Sequence, residues 1–107
     1  MKPVADGGRF MALQQDLLVA IMQEIRADLL KVEAPDDLVR ELTERIAFSV
    51  ASLIDGSRTA KTADGAELNP ILCFLSEGGE LVHCGGNSFM HEYVQRLSSE
   101  VFSEERS

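Results

Sequence analysis

Between Pro70 and Ser88 the chain reads PILCFLSEGGELVHCGGNS, two short apolar runs on either side of Gly78-Gly79, with a second glycine pair leading onward. Runs of that length and composition predict strands at 71–75 and 80–84, joined by Ser76-Glu77-Gly78-Gly79, a connection of hairpin length. Pro70 is tolerated at the first position of such a strand, where its missing donor leaves the ladder intact. Side chains alternate across a strand, so Ile71, Cys73 and Leu75 share one face and Leu72 and Phe74 the other. With a turn of two or four residues, Val82 and Cys84 join the first face and Leu81 and His83 the second. Both faces are then apolar, and a small sheet of this kind needs cover on both.

Helices from the same chain can supply one cover. Phe10, Leu13, Leu17, Leu18, Ile21, Met22, Ile25 and Leu29 recur at three-and-four spacing, which predicts an amphipathic helix over 9–32. Residues 1–8, with Pro3, Gly7 and Gly8, read as a flexible tail ahead of it. Pro35 breaks the pattern and suits the first turn of a second helix over 36–55, where Asp36 and Asp37 meet the positive end of the helix dipole. Leu38, Leu42, Ile46, Val50 and Leu53 or Ile54 define its expected core face, and Gly56 its left-handed cap. The short link predicts an antiparallel helical hairpin. Asp64-Gly65 marks a tight turn with a thin edge strand before it, so strands are expected within 58–84. A last helix is expected over 88–102, carrying Met90, Tyr93, Val94, Leu97 and Val101 on one stripe, with Asn87 or Ser88 as its N-cap and a polar end at 103–107.

The expected fold class is α+β: an N-terminal antiparallel helical hairpin, a two- or three-stranded antiparallel meander and a C-terminal helix, all within one domain over 1–107. The second face of the sheet needs either the remaining helix, giving a layered monomer, or a second copy; so small a sheet leaves a narrow core for three amphipathic helices, and two-fold pairing is the commonest way to close one. A homodimer is therefore the expected state.

Charge narrows the functional classes. With 18 acidic against 10 basic residues the 107-residue chain carries a formal net charge of -8. Phosphate backbones and anionic lipid surfaces are repelled, so neither nucleic acid nor membrane is an expected partner. Gln14, Gln15 and Asp16 interrupt any leader-like apolar run, and two cysteines are too few for a secreted disulfide scaffold. The expected location is cytoplasmic.

Cys73, His83, Cys84 and His91 include zinc-ligand atom types, but His83 and Cys84 are neighbours on a strand and face apart, so neither metal nor cofactor is expected. Cys73 and Cys84 read as reduced, packed thiols. The candidate ligand site is the strand-to-helix corner of Gly85, Gly86, Asn87 and Ser88, flanked by His83 and His91, where free backbone N–H groups can receive a phosphate or carboxylate. It lacks a P-loop lysine and the third glycine of a dinucleotide fingerprint, and no acid stands at triad-like spacing from His91 or Ser88. The leading expectation is a small non-enzymatic interaction or regulatory module; the alternative is a small-molecule or anion binder at 85–91.

Overall fold

The structure is a computed structural model that describes residues 1–103. Its elements run β1 (Lys2–Ala5), α1 (Gly7–Lys31), α2 (Asp36–Asp55), β2 (Ala60–Lys61), β3 (Glu67–Leu68), β4 (Phe74–Leu75), β5 (Glu80–His83), a single-turn 3-10 helix (Met90–Tyr93) and α3 (Val94–Val101). The architecture is α+β in the expected order of helical hairpin, small sheet and C-terminal helix. Beyond Ser103, the polar end expected at 103–107 lies outside the described residues.

The flexible tail expected at 1–8 is instead built into the fold. β1 pairs in parallel with β5, Val4 opposite Val82, so the three-stranded sheet has the order β1-β5-β4 and is mixed. Asp6 makes this possible. Its backbone N–H donates to the His83 carbonyl at 3.0 Å, continuing the ladder, while its side chain accepts the Arg9 N–H at 3.1 Å and so caps α1. One residue thus ends a strand and starts a helix. β2 and β3 form a separate two-stranded hairpin closed at Asp64-Gly65.

The β4–β5 hairpin departs from its expected register by one residue. Leu75 stands opposite Leu81 and Phe74 opposite Val82. The cause is an odd loop, Glu77-Gly78-Gly79. Ser76 closes it from both sides, its N–H donating to the Glu80 carbonyl at 2.8 Å and its carbonyl accepting the Gly79 N–H at 3.0 Å. Gly79 takes φ 82°, the left-handed residue that such a bulged turn requires. A one-residue slip exchanges faces, so Phe74 and Val82 share the covered side, while Cys73 and Cys84, each just outside the paired residues, are free thiols. No atom lies within 4 Å of a Cβ added at Gly79, so Gly79→Ala is expected to cost about 1 kcal/mol through backbone conformation alone, read by chemical denaturation.

Helix packing also differs from the expected pattern. On α2 the buried line is Val39, Thr43, Ala47 and Ala51, whereas Leu38, Ile46 and Leu53 remain 38–40% exposed. Small side chains let α1 approach closely along that line, and the larger ones are displaced to its flank. Leu18 and Met22 from α1 complete this core with Met90, Val94, Leu97, Val101 and Phe102. The turn between the two helices uses Glu33 at φ 57°, which lets the Ala34 N–H reach back to the Leu29 carbonyl at 3.0 Å.

The described residues form a slab. Its extents are 44 × 37 × 21 Å and its radius of gyration is 15.6 Å, against about 13 Å for a compact chain of this length.

Candidate functional site

The strand-to-helix corner is held by an acid from elsewhere in the chain. Asp55, the last residue of α2, is 3% exposed. Its carboxylate accepts the Ser88 hydroxyl at 2.5 Å (Oδ1) and the His91 backbone N–H at 2.8 Å (Oδ2), and the His91 ring Nδ1 stands 2.6 Å from the same Oδ2. Its backbone carbonyl accepts the Asn87 side-chain amide at 2.8 Å. Ser88, Asn87 and His91 are thus brought together. The other expected residues serve the turn itself: the Gly85 N–H donates to His83 Nδ1 at 3.0 Å, and the Cys84 thiol lies 3.4 Å from the Gly86 and Asn87 carbonyls.

Local sequence explains the fit. Gly56 caps α2 at φ 77°, and a Cβ there would lie 2.6 Å from the Asn87 amide nitrogen, so glycine meets both the conformational and the steric demand. Gln14 of α1 adds a second anchor, its Oε1 accepting the Phe89 N–H at 3.1 Å while its Nε2 is the one buried side-chain polar atom without a partner among the described residues.

Chemically, the contacts run in the wrong order for a hydroxyl nucleophile. In a Ser-His-Asp relay the serine bonds the imidazole and the acid bonds its far nitrogen; here Ser88 and His91 both bond the acid. The corner is an anion site by its donors, and the anion in it is the protein's own carboxylate. His91, expected to flank a ligand site, is three-quarters buried in its side chain and stacks edge-on to Phe48, ring centroids 5.9 Å apart. Asp55 and Gln14 escaped the sequence reading. The available signal was a carboxylate in the last turn of a helix, where the dipole disfavours it unless donors converge on it.

A second feature lies on the sheet. α1 covers one side, where Phe10 meets Phe74 edge-on at 5.5 Å. Alternation places Pro3, Ala5, Leu75, Leu81 and His83 on the other, and none of these is an acid, a lysine or an arginine. Leu75 is 62% exposed, and Ile71, in the segment that leads to β4, 56%. Leu68 and Pro70, just upstream along the chain, wall a groove with Leu53, Ile54 and Ala60.

Among the described residues no three His, Cys, Asp or Glu side chains cluster as a metal site would require, and no helix is long and apolar enough to cross a membrane. No protein-family model, curated protein or solved structure matches the chain.

Proposed function

We propose that the protein is a non-enzymatic interaction module that acts as a homodimer in the cytoplasm. The observation that carries this reading is the side of the sheet away from α1: Pro3, Ala5, Leu75, Leu81 and His83 stand there, with no acid, lysine or arginine among them, in a chain of net charge -8. Parallel strand pairs are ordinarily covered on both faces, and β1–β5 is such a pair. The slab-like shape supports the same reading, because a layer left open on one side gains a core by association. The Ser88 hydroxyl and the His91 N–H already bond Asp55, so a free anion that used those two donors would have to displace it, and the corner serves better as a structural tie than as a receptor.

Native mass spectrometry and light scattering test the reading together. A two-chain species is expected at low micromolar concentration. A single-chain mass across the whole micromolar range would overturn it.

A further inference from the structure

We infer that the groove lined by α2, Arg58 and Gln95 of α3 binds a small aromatic carboxylate, its ring against Phe48 and its carboxylate on Arg58. The groove holds about 540 Å³, within the range of small-ligand sites. Along α2 it is lined by Glu41, Glu44, Arg45, Phe48 and Ser49, whose three-and-four spacing puts them on one helical face. Arg58 follows the Gly56 cap by two residues, and its backbone N–H donates to the Ser52 carbonyl at 3.1 Å, which pins the loop against the end of α2.

Charge selects the ligand. Both acids of the groove are neutralised within the chain: Glu41 pairs with Arg45 at 3.0 Å, and Glu44 pairs with Arg40 at 3.2 Å and accepts the Ser98 hydroxyl. The Arg58 guanidinium has no side-chain partner among the described residues, which leaves the groove one unbalanced positive charge. A guanidinium takes a carboxylate through two parallel N–H donors, so a single carboxylate completes the balance. A phosphate monoester brings about -1.5 to -2 and would leave excess negative charge beside Glu41 and Glu44. The net charge of -8 disfavours anions at a distance, but screening within about 8 Å at physiological ionic strength leaves recognition to contact.

Phe48 supplies the apolar half. It keeps 43% exposure although the His91 ring supports it edge-on at 5.9 Å. His91 is itself tied to Asp55, so the Phe48 ring is held before a ligand arrives, which lowers the ordering cost of binding. An aromatic ligand gains ring–ring contact there beyond the area it buries.

Phenylacetate is the probe, with 2-phenylethylamine and phenyl phosphate as its charge controls, read by amide shifts in NMR titration. Phenylacetate is expected to shift Phe48, Ser49, Arg58 and Gln95 with a Kd of about 1 mM, as suits a fragment of its size. Arg58→Gln, an exposed loop change, should weaken it about 10-fold, and Phe48→Leu, which keeps the apolar bulk, about 5-fold. The amine should leave these signals unmoved, and phenyl phosphate should bind more weakly than phenylacetate. A still groove, an equal response to the amine, tighter binding of the phosphate or an unchanged affinity in Arg58→Gln would each overturn the assignment.

Discussion

Asp55→Ala is expected to lower the unfolding free energy by about 3–4 kcal/mol, because it strands several buried donors at once. The Ser88 hydroxyl, the His91 N–H and the His91 ring all converge on that carboxylate. Each donor left without a partner in a buried site costs about 1–3 kcal/mol, with some relief from local relaxation and entering water. The change opposes the usual rule for helix ends. A carboxylate in a last turn is normally mildly unfavourable, and its removal would be neutral or stabilising by a few tenths of a kcal/mol. The predicted sign therefore separates a structural tie from an incidental acid. Ser88→Ala removes one donor and leaves Asp55 its two His91 contacts, so about 1 kcal/mol is expected there. Urea denaturation of the two variants is the measurement, and a loss below 1 kcal/mol for Asp55→Ala would sink the assignment.

That tie shows why the candidate corner was only half legible. The pattern Gly85-Gly86-Asn87-Ser88 followed by His91 correctly marks a donor-rich turn, since those residue types present N–H and O–H groups at a helix start. What fills it depends on a contact 33 residues away in sequence, Ser88 with Asp55, and no local spacing encodes that. Asp55-Gly56 read only as a stop signal, which it also is. The helices were more visible, because three-and-four apolar spacing is local: α2 begins and ends where Pro35 and Gly56 place it. Its inward face was not, because burial followed size rather than hydropathy, choosing Ala47 and Ala51 over Ile46 and Leu53. β1 was invisible for a different reason. KPVA offers little alternation, and its strand character comes from the free edge of β5 beside it.

Register carries the same lesson at the sheet. Glycine at 78 and 79 announces a hairpin, yet the choice between an even and an odd loop rests on Gly79 adopting the left-handed conformation and on Ser76 closing both sides. The consequence reaches function. In the even register Phe74 would share a side with Leu81; in the observed one it meets Phe10, and Leu75 turns outward.

Phe10 joins the sheet to the helices, and its loss should be the largest single-residue effect in the apolar interior. It is fully buried in the first turn of α1, immediately after the Asp6 cap that ends β1, and its ring meets Phe74 edge-on at 5.5 Å. Phe10→Ala is expected to cost about 3–5 kcal/mol, the transfer of a large ring plus the cavity it leaves. Phe10→Leu should recover more than half of that, because volume is largely conserved. Comparison with Met22→Ala in the helical core distinguishes position from size: that variant is expected to lose about 2–4 kcal/mol while leaving the sheet seated. If the sheet side away from α1 is the dimer contact, Phe10→Ala at concentrations where it remains folded should also weaken dimerisation, by about tenfold, whereas Met22→Ala should not. Denaturation and ultracentrifugation on the same samples give both readings. A Phe10→Ala variant that unfolds more readily yet dimerises like wild type would show that the second copy does not depend on how α1 holds the sheet.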